Sequence, residues 1–276
     1  MDKTINAISL FSGIGAFENA AKLVFEENYI THKFIEINSY AQKVLKTHFP
    51  EVPIHSDIRD YKPPKPGSLG NNTLLVGGFP CTGTSGAGHR TGLDHPESSL
   101  WWEFYRVIVE LRPRFIIIEN PSGLIKRGLR TILASLSMAG YSYEIEMFTI
   151  AMFGAPHRRE RIFIIAYDTS NFNDLRQLRQ FESWADNVGN DIERTKAIIT
   201  RSQVESQICS VVNGVSPELS GLHFSGWWRM NPPPDIGIEK GVKGRREAVS
   251  LVGRSICLPQ AICTLLRLKF LLNLEV

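Results

Sequence analysis

A cysteine sits where glycines would let it move. Cys81 lies within Gly77-Gly78-Phe79-Pro80-Cys81-Thr82-Gly83-Thr84-Ser85-Gly86-Ala87-Gly88, which has five glycines and a proline in twelve residues. The apolar run 74–76 before it reads as a strand that delivers the thiol from its end into a flexible loop. Nucleophilic attack needs that exposure, together with a lowered thiol pKa. A second chemical group follows another apolar run, 115–118, in Glu119-Asn120-Pro121. On one edge of a parallel sheet, Cys81 and Glu119 make a nucleophile and a proton donor. The third is Pro156-His157-Arg158-Arg159-Glu160-Arg161, ahead of the run 162–167. Arg159 and Arg161 are two apart, so an extended chain projects both to one side, towards an anion or an acceptor oxygen. Singly, a turn cysteine and a solvated basic stretch are ordinary; together they suggest a site.

Three further features suit a small ligand. Phe11-Ser12-Gly13-Ile14-Gly15-Ala16-Phe17 lies between a strand and a helix, and two glycines let its backbone turn tightly at the strand's carboxyl end. A dinucleotide fingerprint would need glycine or alanine where Glu18 stands. A carboxylate at a helix N-terminus repels a pyrophosphate but not a cation. Glu36 ends the second strand, where a carboxylate can accept from both ribose hydroxyls. Asp57 lies in the loop after a further strand expected between the 40–48 helix and this residue, and can accept from an adenine amino group.

These groups need a scaffold. Strands are expected over residues 7–11, 33–37, 74–76, 115–118 and 162–167, and helices over 17–27, 40–48 and 96–111. Asp94 and Glu97 stand in capping-box spacing for the last helix. Strands alternating with helices imply an α/β fold with a mainly parallel sheet covered on both faces. Residues 1–168 form this domain. Residues 169–249 are polar and poorly periodic, and carry Trp184, Trp227-Trp228, three successive prolines and Lys243-Gly244-Arg245-Arg246. They read as a small, irregular lobe with long loops. Residues 250–276 read as a helix returning to the first domain.

Composition bounds the partners. The chain has 276 residues, 43% apolar and 21% charged, with a formal net charge of +3. That permits nucleic-acid binding without demanding it. No apolar run is long enough to span a bilayer, because Arg267 and Lys269 interrupt residues 261–274. Cys81, Cys209, Cys257 and Cys263 include no pair with zinc-ligand spacing, so no metal is expected and the thiols are read as reduced, in a cytoplasm.

The motifs resemble the DNA cytosine carbon-5 methyltransferases. Phe11-Ser12-Gly13-Ile14-Gly15, Gly78-Phe79-Pro80-Cys81, Glu119-Asn120 and His157-Arg158-Arg159-Glu160-Arg161 occur in that family's order across residues 1–168. A weaker match, Gly253-Arg254-Ser255-Ile256, has Arg254 where the family has asparagine. Thr82 and His157 stand where glutamine is usual, and Pro121 where valine is.

The resemblance implies a Rossmann-like S-adenosylmethionine-dependent methyltransferase fold with a target-recognition lobe at 169–249. It implies that Cys81 adds to carbon 6 of a flipped-out cytosine in double-stranded DNA. Glu119 then bonds to or protonates ring nitrogen 3, Arg161 with its neighbour Arg159 holds the ring oxygen and Glu119, and carbon 5 takes the methyl group. The implied cofactor contacts are Phe11, Ser12, Gly13, Ile14, Gly15, Glu36, Ile37, Asp57, Ile58, Phe79, Pro80 and Ser255. Residues 82–91 are a candidate lid, with Ser85 and Arg90 in reach of phosphate. Arg229, Lys243, Arg245 and Arg246 are candidates for phosphate or guanine contacts. A monomer in a prokaryotic or phage-infected cell is expected, with a cognate restriction endonuclease as a partner that forms no stable complex. A tRNA cytosine methyltransferase and a non-catalytic DNA-binding relative are the alternatives.

Overall fold

The computed structural model of the chain describes residues 3–80, 100–155, 159–171, 183–201 and 255–273. In chain order its elements are β1 (Ile5–Leu10), α1 (Ala16–Phe25), β2 (Tyr29–Ile35), α2 (Ser39–His48), β3 (Ile54–His55), β4 (Thr73–Gly77), α3 (Trp101–Leu111) and β5 (Phe115–Pro121). Then come α4 (Leu124–Arg127), α5 (Leu129–Met138), β6 (Tyr141–Thr149), β7 (Glu160–Asp168), α6 (Trp184–Arg201) and α7 (Leu258–Asn273). The strands form one sheet in the order β3-β2-β1-β4-β5-β7-β6. β1 to β5 pair in parallel, and β7 runs antiparallel to both β5 and β6.

The central strands are apolar along their whole length because both faces are covered. Ile5, Ala7, Leu74, Val76, Phe115, Ile117, Phe163 and Ile165 face α1, α6 and α7. Ile8, Leu10, Leu75, Ile116, Ile118, Ile164 and Ala166 face α3 and α5. α7 is buried on every side from Ala261 to Leu268, its polar Thr264 and Arg267 included. The arginine that interrupts its apolar run, Arg267, forks onto Glu144 of β6, with Nε 2.7 Å from Oε2 and Nη2 2.6 Å from Oε1. Lys269 donates to the Val24 carbonyl at the end of α1.

The expected strands and helices are present with shifted ends. The Asp94 and Glu97 cap lies outside the described residues, and the helix is seen from Trp101. β6 and α5 are additional. α6 corrects the reading of its segment as loop: Trp184, Val188, Asp191, Thr195 and Ile198 form a helical stripe, with Trp184 buried against Phe148. Buried Asp191 and Thr195 hide that stripe from a purely apolar periodicity. Glu18 is not presented at the open end of α1. It is 1% exposed, near Ser9 and Tyr29, and burial pushes its carboxyl up to about 7 against the opposing Ser9 hydroxyl.

Candidate active site at the carboxyl edge of the sheet

β7 decides the site. Because it runs against its neighbours, its first residues lie at the edge where β4 and β5 end, and Arg161 pairs in register with Pro121. Arg161 and Glu119 project to the same face, and Arg161 Nε stands 2.7 Å from Glu119 Oε1. The N–H is not directed along the acceptor, so the contact is an ion pair, and Oε1 has no aligned donor among the described residues. Glu119 is 6% exposed. Burial pushes its carboxyl up to about 7, with the positive charges of Arg161 and Arg159 pulling it back. It can therefore hold a proton near neutral pH that an exposed glutamate would lose.

The end of β4 is built around this carboxyl. A Cβ on Gly77 would overlap the Leu10 carbonyl, and one on Gly78 would stand 2.6 Å from Glu119 Oε2 and 3.0 Å from its carbonyl oxygen. Only glycine lets the two strand ends approach so closely. Asn120, buried, donates from Nδ2 to the Phe79 carbonyl at 3.1 Å. Phe79 packs on Trp101, and half-buried Pro80 carries the chain towards Cys81. Cys81 itself, Ser85, Arg90, Arg229, Lys243, Arg245 and Arg246 lie outside the described residues, as do Pro156, His157 and Arg158.

Arg159 is held by the C-terminal segment, its guanidinium donating to the Ser255 carbonyl. Cys257 lies in the same charge environment: burial raises its thiol, Arg159 and Arg161 pull it down, and Glu119 pushes it up. Gln260, not among the residues expected at the site, donates its amide to the Phe148 carbonyl at 3.0 Å and the Arg159 carbonyl at 2.9 Å. A glutamine among apolar helix residues was the only signal for it.

The first loop forms a turn of the kind its glycines allow. Phe11, Gly13 and Gly15 all have positive φ, at 51°, 56° and 82°. Gly13 N donates to Glu36 Oε2 at 2.8 Å, and Asn38 N donates to Oε1 at 2.7 Å. Glu36 thus closes the loop onto the end of β2, its carboxyl raised by burial and lowered by these backbone bonds. Each oxygen keeps a lone pair for a further donor. Ser12 Oγ donates to the Ser9 carbonyl, and Phe11 stacks on Phe104. Ile37 is 65% exposed beside Glu36, while Ile14 and Ile58 are buried in the core, and the Ile58 carbonyl accepts from Arg106. Asp57 is gripped by Arg59, which lowers its carboxyl to about 2.

This mostly parallel sheet, with its loop, acid and arginine pair at one edge, is a Rossmann-like α/β scaffold. The family model for C-5 cytosine-specific DNA methylases matches residues 5–213, and the chain belongs to that family. It is 34% identical over 179 residues to the type II methyltransferase M1.ScrFI of Lactococcus lactis subsp. cremoris, covering 61% of this chain and 43% of that protein. It is 33% identical over 165 residues to the orphan methyltransferase M.SPRI of Bacillus phage SPR, covering 58% of this chain and 37% of the relative. The chain thus spans about two-fifths of the length of these relatives. Among solved structures, the Entamoeba histolytica methyltransferase EhMeth superposes with a TM-score of 0.59 at 14% identity, over 95% of this chain and 97% of that one, a likeness of fold alone.

Proposed function

We propose that this chain transfers a methyl group from S-adenosylmethionine to carbon 5 of a flipped-out cytosine in double-stranded DNA, through a transient bond to Cys81. The observation that carries the reading is the buried Glu119 carboxyl, raised to about 7 and 2.7 Å from Arg161, on the edge where Asn120 holds the backbone leading to Cys81. When bound, the cofactor supplies an electrophilic methyl on a cationic sulfur. The residues fit it: a Cβ on Gly13 would meet nothing within 4 Å, which leaves open space over the first loop. Glu36 offers its remaining lone pairs to ribose hydroxyls, and exposed Ile37 offers an apolar surface to a base. Asp57 reaches an adenine amino group only through lone pairs that Arg59 leaves.

The Cys81 thiolate adds to carbon 6 while Glu119 gives a proton to ring nitrogen 3, and the ring becomes an enamine. Arg161, with Arg159 behind it, orients Glu119 and donates to the ring oxygen. After carbon 5 is methylated it gives its proton to a base, Cys81 leaves as thiolate, ring nitrogen 3 returns its proton to Glu119, and the ring double bond returns. The base must leave the stack first, at a cost of roughly a few kcal/mol. Sequence readout belongs to the lobe within residues 169–249, with Arg229, Lys243, Arg245 and Arg246 as contacts, and residues 82–91 close over the base through Ser85 and Arg90. A monomer sharing its site with a cognate endonuclease fits this scheme.

Cys81→Ser should abolish methylation read by bisulfite sequencing, and a 5-fluorocytosine duplex should trap wild type, but not Cys81→Ser, as a covalent adduct with cofactor present. Methylation of tRNA but not DNA would move the activity to RNA. No adduct and no methylation of either would leave a binding protein. Because Glu119 must be protonated, the single-turnover rate should fall as pH rises through about 7.

A further inference from the structure

We propose that Gln260 is a positioning residue for the arginine pair, so that docking of the C-terminal helix sets the charge environment of Glu119. This rests on the reading of Glu119 as proton donor for its catalytic consequence, but its geometry stands alone. Gln260 is completely buried in the first turn of α7. Both neighbouring acceptors are backbone carbonyls, Phe148 at the end of β6 and Arg159 at the start of β7. The amide must therefore turn its NH2 towards them, and its Oε1 is left without a partner among the described residues. A buried orphan acceptor costs roughly 1–3 kcal/mol, which the bridge between two strand ends and a helix must offset.

The bridge acts where the chemistry is. Arg159 is held at two points by the same segment: its carbonyl by Gln260 and its guanidinium by the Ser255 carbonyl. Two residues on, Arg161 makes the ion pair with Glu119. An extended strand has little slack over two residues, so loss of the Gln260 bonds lets both arginines withdraw. Among the described residues, the ionisable groups facing Glu119 are Arg161 of β7, Arg159 just before it and Cys257 from the segment before α7. Withdrawal of the two cations raises the Glu119 carboxyl further.

The test is the Glu119 titration in the full chain, read by carbon-13 NMR of labelled glutamate, with the signal assigned through Glu119→Gln. Gln260→Met keeps length and volume but has no donor. Its Glu119 midpoint should move above the wild-type value, the alkaline limb of the single-turnover rate should move with it, and kcat should drop roughly tenfold with KM changed less than about twofold. Thr264→Val is the control. It removes another buried hydrogen bond of α7, from Thr264 Oγ1 to the Gln260 carbonyl, without touching β7. It should lower Tm and leave the Glu119 midpoint in place. An unmoved midpoint in Gln260→Met, whatever its Tm, would overturn the proposal. A moved midpoint in a protein that methylates nothing would leave positioning intact and defeat the functional reading instead.

Discussion

Among the described residues, two arginine–glutamate pairs sit largely out of solvent, and they differ in how their hydrogen bonds are completed. Arg267 meets Glu144 as a fork, two aligned bonds of 2.7 and 2.6 Å, with Arg267 1% exposed between α7 and β6. Arg161 meets Glu119 as an ion pair, Nε 2.7 Å from Oε1, and that oxygen has no aligned donor among the described residues. In the first pair the guanidinium fork matches the carboxylate, so both charges are compensated and the contact works as a clamp. In the second the carboxyl is buried without enough donors and sits at about 7, poised between its two protonation states. The same residue types give a staple or a proton donor according to how well the hydrogen bonds are completed.

Reciprocal substitutions should separate the pairs most strongly. Arg161→Met should reduce single-turnover methylation by roughly 10²–10³-fold with little change in Tm. Arg267→Met should cost about 3–5 kcal/mol of stability by stranding Glu144, while the folded fraction keeps its rate. If urea unfolding found Arg161→Met the less stable of the two, the contrast would fail. Next in size is Gly78→Ala, whose methyl group must displace the Glu119 carboxyl 2.6 Å away. A rate loss of at least about tenfold is expected from such a shift, and an unchanged rate would mean that Glu119 tolerates movement.

The smallest effect sharpens the comparison with a third buried acid. Burial raises Glu18 from 4.5 to about 7, so the folded protein holds a proton there that the unfolded chain has released. Stability then falls as pH rises from about 4.5 to about 7 and stays at the lower level above it. Glu18→Gln removes that dependence. The variant should be more stable above pH 7 by about 1–3 kcal/mol, the gain vanishing below pH 4.5, as thermal melts across pH would show.

Much of the site was legible because its pieces are local. A Gly-Gly at a strand end, a carboxylate just past an apolar run and two arginines of one parity can each be read from a few neighbouring residues. The grip of Arg59 on Asp57, two residues away, came to light only in the structure. α6 was missed because polar Asp191 and Thr195 occupy part of its buried stripe, and Gln260 because one polar residue in an apolar helix has no local partner to reveal its role.

The alternation of strands and helices, the order of the motifs and the identity of the acid and the arginines can all be read from the residues in order. Strand direction belongs to the tertiary structure: an apolar run such as Ile162-Phe163-Ile164-Ile165 is as comfortable parallel as antiparallel. Only the antiparallel choice for β7 carries Arg159 and Arg161 to the edge that holds Glu119. The pairing of Arg267 with Glu144 across 123 residues, and of Gln260 with the Arg159 carbonyl across 101, were likewise fixed only when α7 packed between α1 and α6. Burial and hydrogen-bond completion arise from packing, and these set the proton affinity of each acid.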